Sequence, residues 1–156
     1  ALEAAEKSGC GVGLMHMQGE PRTMQKNPVY TDLLSEVKSF LAERARALTD
    51  LGVSAEKIVL DPGFGFGKTV SQNFELLAKT EDFLSLGYPL LYGMSRKSSL
   101  GAVTGITKAE ERLISSVTAH LLAVERGASI VRVHDVKQMK EALTIYKAMV
   151  HYKDLK

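Results

Sequence analysis

The sequence predicts an α/β protein in which helices pack against a parallel β-sheet. Three observations lead to this prediction: short apolar runs rich in Val, Ile, Leu and Tyr recur along the chain, helical patterns separate them, and polar or glycine-rich residues follow each run directly. Strands of a parallel sheet are buried on both faces and are joined by helical crossovers, so this alternation is typical of the class. The predicted strands lie near residues 11–17, 57–61, 89–94 and 129–134.

Amphipathic helices are predicted between and after the strands. The first begins at Asn27-Pro28, because proline favours the first position of a helix. The third and fourth begin near Thr107 and Asp135, where a Thr or Asp precedes a Glu or Gln at the spacing of a capping box. Residues 1–7 resemble the middle of a helix, so a partial helix and further chain upstream are expected. The predicted helices span about residues 28–51, 72–86, 107–126 and 135–150.

The composition predicts one domain, residues 1–156, that is large enough to bury a core. Hydrophobic residues make up 45% and charged residues 24%, which is typical of globular proteins. The net charge of +2 does not indicate a nucleic-acid or membrane partner, and no apolar run reaches the roughly 18 residues of a membrane span. A cytoplasmic protein is therefore expected. Cys10 is the only cysteine, and its apolar surroundings predict an inert core thiol.

The polar chemistry is predicted at the carboxyl ends of the strands, where parallel α/β proteins place their active sites. Side chains alternate along a strand, so Arg132 and His134 share one face of the last strand. By the same count Gly93, Ser95 and Lys97 share one face of the strand before it. We expect these faces to converge on one site.

The segment DPGFGFGKT, residues 61–69, matches neither of the familiar phosphate-binding loops. A Walker loop requires glycine where Pro62 stands, and a dinucleotide fingerprint requires a different spacing of the glycines. Asp61 ends an apolar strand and is a natural acceptor for a ring N–H and an amino group. Phe64 and Phe66 suit either the core or the wall of a site for a flat ligand, and both interpretations stay open.

Three side chains that can donate hydrogen bonds to an anion lie on or after the later strands. Lys97 belongs to a Ser-Arg-Lys-Ser cluster directly after a buried run, which favours a function over an ordinary surface position. Arg132 lies inside an apolar strand, where an unpaired charge is costly, so it requires an anion or a flat ring. His134 is placed to donate to the same anion. Plain solvated or structural positions are predicted for Lys68, His16 and His120.

Four segments, LMHMQGEPRTMQ, DPGFGFGK, GMSRKSSLG and RVHDV, occur in an order and at spacings that closely resemble the dihydropteroate synthase family. The resemblance extends over essentially the whole chain. It implies the C-terminal half of a TIM (β/α)8 barrel, with four parallel βα units preceded by a partial helix. It also implies an enzyme of folate biosynthesis that condenses 6-hydroxymethyl-7,8-dihydropterin diphosphate with p-aminobenzoate, and sulfonamides as competitors of the aminobenzoate.

The same resemblance implies roles for individual residues. Asp61 is similar to the carboxylate that holds the amino-pyrimidine edge of the pterin, and Lys97 is similar to the lysine that hydrogen-bonds its ring. Arg132 is similar to the arginine that stacks on the pterin and, with His134, handles the diphosphate. Ser95 resembles a serine near the aminobenzoate carboxylate. The implied catalytic residues are Lys97, Arg132 and His134. The implied pocket lining is completed by Met15, Phe66 and Gly93.

The resemblance implies Mg²⁺ as a cofactor, with its ligand in the N-terminal half of the family's barrel, so no metal ligand is expected in this chain. That half also supplies mobile loops, and little or no synthase activity is therefore expected of the 156 residues alone. Open sheet edges predict a homodimer or association with a partner that supplies the missing strands.

Two alternatives remain open at this point. One is an inactive half-barrel that binds a pterin or an anion without turnover. The other is a pterin-binding domain like that of methyltetrahydrofolate methyltransferases, which share the ring-holding carboxylate. The polar clusters at residues 95–97 and 132–134 favour a diphosphate substrate over the second alternative.

Overall fold

The computed structural model describes residues 7, 9–20, 22–24 and 26–154, in which short parallel strands alternate with helices. The strands are β1 (Val12–Met15), β2 (Ile58–Asp61), β3 (Leu91–Tyr92) and β4 (Ile130–Val131). The α-helices are α1 (Leu33–Asp50), α2 (Val70–Ala78), α3 (Ser98–Thr104), α4 (Leu113–Glu125) and α5 (Val136–Val150). Short 3₁₀ helices cover Ala55–Lys57, Thr80–Leu86, Ala109–Glu111 and Tyr152–Asp154. The partial helix predicted over residues 1–7 falls, residue 7 excepted, outside the described residues.

The described strands follow one another side by side in the order β1-β2-β3-β4. β1 pairs in parallel with β2 up to Met15 opposite Asp61, and β3 pairs in parallel with β4. A parallel bridge between Leu60 and Leu90 links the two pairs, and the Leu60 N–H donates to the carbonyl of Pro89 at 2.9 Å. The predicted parallel α/β arrangement is confirmed. Because the strands are parallel, their carboxyl ends all lie at one edge.

The core consists of two clusters of apolar side chains. The buried residues of α1 recur every three or four positions, the period of one helix face, and pack with Ile58, Leu60 and Phe83. A second cluster includes Phe64 and Tyr92. The α1 residues concerned are Leu33, Val37, Leu41, Ala45 and Leu48.

Helix α1 begins at Leu33 and not at the predicted Pro28. The reason is a cap at Asp32, whose carboxylate accepts hydrogen bonds from the Ser35 N–H at 3.1 Å and the Ser35 hydroxyl at 2.7 Å. The Glu36 carboxylate in turn accepts from the Asp32 N–H at 3.0 Å. These bonds satisfy N–H groups that have no partner within the first helical turn, so the helix starts here.

The helix predicted over residues 72–86 is divided in two. Thr69 caps α2 with a complete capping box: its hydroxyl accepts from the Gln72 N–H at 3.2 Å, and the Gln72 side chain accepts from the Thr69 N–H at 2.8 Å. The helix ends at Ala78, and Thr80–Leu86 continues as a 3₁₀ helix. The sequence interpretation missed α3, a short helix directly after the Ser-Arg-Lys cluster.

The capping boxes predicted at Thr107 and Asp135 do not form. Ala109–Glu111 makes a 3₁₀ turn, and α4 begins only at Leu113, without a side-chain cap. Asp135 does precede α5, but its carboxylate binds Arg96 instead of the helix N-terminus. A charged partner forms the stronger hydrogen bonds, which explains the outcome at this position.

Two burial predictions are wrong. Cys10 is exposed and does not belong to the core. The helix predicted over about residues 135–150 is amphipathic, which implies a buried apolar face; on that face Met139 is buried, whereas Val136 is 65% and Val150 50% exposed. The described residues therefore leave much of that face uncovered. Within the same part of the chain, no helix is both long and apolar enough to cross a membrane.

Replacing Gly63 by alanine is expected to destabilise the protein far more than the same change at Gly52. Both glycines have positive φ, +77° and +91°, which costs an L-residue about 1–2 kcal/mol. Nothing lies within 4 Å of a Cβ added at Gly52, whereas a Cβ at Gly63 would lie 1.8 Å from the carbonyl oxygen of His16. Equilibrium unfolding in urea measures the difference. Equal losses in the two variants would show that this close approach is not required.

Candidate functional site

The loops that follow the strands contact one another at the carboxyl edge of the sheet. The loop after β2 crosses the loop after β1 so closely that a Cβ at Gly67 would lie 2.6 Å from the carbonyl oxygen of Gln18. Lys97, from the loop after β3, donates a hydrogen bond from Nζ to the carbonyl oxygen of Phe64 in the loop after β2. Backbone contacts of this kind fix the loops relative to one another.

A cavity of about 190 Å³ lies beyond the ends of β3 and β4. The Arg132 guanidinium packs directly against Gly93, because a Cβ at that position would lie 2.9 Å from Nη2 and 3.3 Å from Cζ. A side chain at this position would require the guanidinium to shift. The residues that line the cavity are Gly93, Ser95, Lys97, Arg132, Val133 and His134.

Ser95 and His134 are hydrogen-bonded to each other across this cavity. The Ser95 hydroxyl oxygen lies 2.9 Å from His134 Nδ1 and also accepts from the His134 backbone N–H at 3.2 Å. Arg132 is exposed, and in the part of the chain that the structure describes its guanidinium has no hydrogen-bond or ion-pair partner. Its charge is therefore available to an anion or a flat ring.

Lys97 stands between this cavity and the loop after β2. Its ammonium lies 4.2 Å from the centre of the Phe66 ring, within the range of a cation–π contact. The pKa of Lys97 is lowered from 10.5 to about 8, chiefly by burial; the negative charge of Asp61 opposes this shift, and the positive charge of Arg132 adds to it. The ammonium is therefore only partly compensated.

Asp61 ends β2 with its carboxylate turned back onto its own loop. One carboxylate oxygen accepts from the Gly63 N–H at 2.8 Å. Burial raises the pKa of Asp61 above its ordinary value, and the Gly63 hydrogen bond and the positive charges of Lys97, Arg132 and Lys68 act against that shift. The carboxylate retains acceptor capacity for a further donor.

The structure brings some of the predicted site residues together and leaves others apart. Gly93, Ser95, Lys97, Arg132 and His134 line the cavity. Three others lie outside that lining. They are Met15, Asp61 and Phe66.

The two phenylalanines of the glycine-rich loop have different environments. Phe64 is fully buried and makes an edge-to-face contact with Phe74, the ring centres being 6.0 Å apart, so it belongs to the core. Phe66 is only partly buried and lies under the Lys97 ammonium. The question that the sequence left open is thus answered differently for each ring.

The prediction of a solvated Lys68 is wrong. Its side chain is only 3% exposed, and Nζ lies 3.0 Å from each of three acceptors: His16 Nδ1 and the carbonyl oxygens of Gly63 and Phe66. Burial lowers the pKa of Lys68 to about 7. Burial and the nearby Lys68 charge lower the pKa of His16 to about 4, so this imidazole is neutral, with Nδ1 as the acceptor.

Helix α4 and the residue that precedes it support the loop after β3 through three polar residues four positions apart. His120 accepts from the Met94 N–H at 3.0 Å, Ser116 accepts from the Arg96 N–H at 2.8 Å, and Arg112 donates to the Arg96 carbonyl at 2.9 Å. The sequence interpretation missed Arg112 and Ser116. The pattern that could have indicated them is the recurrence of polar residues every four positions in an otherwise apolar helical segment.

Arg96 connects the loops after β3 and β4. It has a positive φ of 62°, unusual for a residue other than glycine. Its guanidinium binds the Asp135 carboxylate with two hydrogen bonds, at 2.7 and 3.2 Å. The Arg96 hydrogen bond holds the pKa of Asp135 below its ordinary value. This bidentate pair joins the loop that carries Lys97 to the loop that carries His134.

The residues present do not suit Mg²⁺. Among the described residues, no three His, Cys, Asp or Glu side chains lie close enough to share a metal ion. Mg²⁺ prefers an octahedral set of oxygens, whereas the Asp61 carboxylate is surrounded by the charges of Lys97, Arg132 and Lys68.

The sequence and the fold agree with those of a known class of proteins. The profile of the family described as "Pterin binding enzyme" matches residues 1–134. The chain belongs to this family of pterin-binding enzymes.

Its relatives within the family are dihydropteroate synthases. The Escherichia coli K12 enzyme is 45% identical over 156 residues, which are 100% of this chain and 55% of the relative. The Stenotrophomonas maltophilia enzyme, with imidazole bound in its active site, superposes with a TM-score of 0.93 at 51% identity, covering 96% of this chain and 57% of that one. The Thermus thermophilus enzyme in complex with 4-aminobenzoate superposes with a TM-score of 0.91 at 40% identity, covering 96% and 60%.

The chain thus spans about half the length of these relatives. Its parallel βα units correspond to part of a TIM barrel, which takes eight such units to close. The prediction of a half-barrel related to dihydropteroate synthase is confirmed.

The free energy of unfolding is expected to rise with pH between about 7 and 10. The substitution Lys68→Met is expected to reduce this rise. Because the pKa of Lys68 is about 7 in the folded protein against an ordinary value of 10.5, the unfolded chain binds more protons in this window. The cost of burying the charged amine is absent above the unfolded pKa and is fully present once the pH falls to about 7. Methionine abolishes this titration, so the slope of unfolding free energy against pH is expected to fall by about 1 kcal/mol per unit.

Urea unfolding across that pH window measures the slope. Lys79→Met, which removes an exposed lysine, is the control and is expected to leave the slope unchanged. Parallel pH profiles for wild type and Lys68→Met would contradict the prediction.

Proposed function

We propose that this chain carries the pterin- and diphosphate-binding part of a dihydropteroate synthase active site. The proposal is carried by the convergence of Lys97, Arg132 and His134 on one cavity, with Asp61 near enough for its charge to act on Lys97. Membership of the pterin-binding family and the 45% identity to the Escherichia coli synthase support it.

The reaction is a displacement at the methylene carbon of 6-hydroxymethyl-7,8-dihydropterin diphosphate. The amino nitrogen of p-aminobenzoate, the compound bound to the Thermus thermophilus relative, supplies the electron pair of the new C–N bond. The C–O bond breaks, its electrons leave with the diphosphate, and the nitrogen releases a proton. Dihydropteroate and diphosphate are the products.

Asp61 and Lys97 bind the pterin from two directions. The free acceptor capacity of the Asp61 carboxylate takes N–H donors of the amino-pyrimidine ring, and the Lys97 ammonium donates to its acceptors. Where the C–O bond breaks before the C–N bond forms, the negative charge of Asp61 opposes the positive charge that develops on the pterin. The Phe66 ring beneath Lys97 restricts the position of that ammonium.

Arg132 and His134 stabilise the leaving group. The guanidinium lies against Gly93 with no ion-pair partner among the described residues, so a diphosphate meets a charge that is already in place. Ser95 fixes the His134 ring through its hydroxyl and stands near the aminobenzoate carboxylate in this proposal. Electrostatic stabilisation of this kind acts where charge accumulates in the transition state.

Further elements of the proposal follow from the family. Mg²⁺ would neutralise diphosphate charge and would be held by residues other than those that line this cavity. Sulfonamides would compete with p-aminobenzoate. The protein would work in the cytoplasm, as a homodimer or with a partner that supplies further strands of the barrel.

The 156-residue chain is expected to form little dihydropteroate by itself while still binding a pterin. It spans 55% of its Escherichia coli relative, and each missing donor to developing charge costs about 10²–10³-fold in rate. Product formation by the mass-verified chain, with the Escherichia coli enzyme assayed in parallel, measures this. Turnover equal to that of the relative would contradict the expectation, and pterin binding without turnover would identify an inactive half-barrel.

Arg132→Ala is expected to weaken the binding of inorganic diphosphate by about tenfold or more, because it removes charge-assisted hydrogen bonds. Isothermal titration at low salt measures the affinity, and added salt is expected to weaken binding to wild type. Arg46→Ala, which removes an exposed arginine of α1, is the control. Equal diphosphate affinity in Arg132→Ala and wild type would remove Arg132 from the site.

A further inference from the structure

We propose that Lys68 is a positioning residue, which pins the loop after β2 to the end of β1 and thereby holds Asp61 and Phe66 in place for the pterin. The inference rests on the proposed function of Asp61 and Phe66 as pterin contacts. Lys68 itself does not line the cavity of Arg132 and His134.

The contacts of Lys68 join two separate parts of the chain. Nζ lies 3.0 Å from the carbonyl oxygens of Gly63 and Phe66, which are the two ends of the glycine-rich turn, and 3.0 Å from His16 Nδ1. His16 follows β1, 52 residues earlier in the sequence. The backbone N–H of His16 donates to the Asp61 carbonyl at 3.0 Å. An ammonium supplies three donors, and here each finds an acceptor.

The location of Lys68 excludes the simpler interpretation of a surface lysine. Its side chain is almost completely buried, and burying an amine costs free energy unless it is hydrogen-bonded. His16 is held in turn by an edge contact with Phe40, the ring centres being 5.0 Å apart. An apolar side chain of similar length would fill the same volume but would leave His16 Nδ1 and the Phe66 carbonyl without this donor, and the Gly63 carbonyl with only the Phe66 N–H.

The loop that Lys68 holds, the loop after β2, carries the groups that are proposed to contact the pterin. The Asp61 carboxylate accepts from the Gly63 N–H, and the carbonyl of Gly63 accepts from both Lys68 and the Phe66 N–H. The Phe66 ring lies 4.2 Å from the Lys97 ammonium. Loss of the Lys68 bonds is therefore expected to release Asp61, Phe66 and Lys97 together, without removing any group that touches the pterin.

Hydrogen exchange measures directly, and without a ligand, whether Lys68 prevents local opening of the loop after β2. The amides of Gly63 and Phe66 are hydrogen-bonded within the loop, so their exchange reports local opening. In Lys68→Met we expect peptides covering residues 62–67 to exchange about tenfold faster or more, while peptides from the core of α1 keep their rates. Lys79→Met serves as the matched control. Unchanged exchange in residues 62–67 of Lys68→Met would overturn the proposal.

If Lys68→Met does not fold, a more conservative substitution still allows its exchange rates to be compared with those of the wild type. Lys68→Gln retains two N–H donors on a shorter side chain, so at least one of the three acceptors loses its donor, and we expect faster exchange confined to residues 62–67. Wild-type exchange of those residues in Lys68→Gln would overturn the proposal equally.

Pterin binding then separates the positioning role from the proposed function. With 6-hydroxymethylpterin as the probe, we expect Asp61→Asn to abolish binding, Lys68→Met to weaken it about tenfold or more, and Lys79→Met to leave it unchanged. No binding by wild type, or equal binding by Asp61→Asn, would refute the proposed function, while the exchange data still decide the loop. Wild-type affinity in Lys68→Met would refute the role of Lys68 alone.

Discussion

The close backbone contact between the loop after β2 and the loop after β1 is the constraint on which the site depends. A Cβ at Gly63 or Gly67 would collide with the carbonyl oxygen of His16 or Gln18, so this crossing accepts no side chain. The crossing turns the loop inward, where Lys68 can reach acceptors on both segments. The glycines at these two positions are therefore required for the crossing of the two loops. This requirement explains why their spacing does not match that of a phosphate-binding loop.

Positive charge is concentrated around one carboxylate. Lys68, Lys97 and Arg132 all act on Asp61, and burial lowers the pKa of both lysines because the protein compensates their charges incompletely. Such an arrangement reduces the stability of the empty protein, since buried charge is costly. It is suited to an anionic ligand, such as the diphosphate of the proposed substrate, which would supply negative charge on binding. Stability and function are in opposition here, as they commonly are at active sites.

The rigidity of the site comes from groups that do not line it. Helix α4 satisfies the backbone of the loop after β3 through Arg112, Ser116 and His120, and this support allows Arg96 to keep its left-handed conformation. Arg96 then binds Asp135 and so connects that loop with the loop after β4. Preorganised groups need little rearrangement when charge develops, which is the physical basis of their effect on rate.

Local pattern alone determined the alternation of strands and helices and the placement of Asp61, Lys97 and Arg132 at strand ends, because apolar periodicity and chain order are properties of the sequence. The burial of Lys68 was decided only by the tertiary structure, since its partner His16 lies 52 residues away. The same holds for Asp135, which binds Arg96 at a separation of 39 residues instead of capping its own helix. A capping motif or a loop lysine is defined by its neighbours in sequence, whereas its partner is chosen by the competition among all groups that folding brings within hydrogen-bond distance.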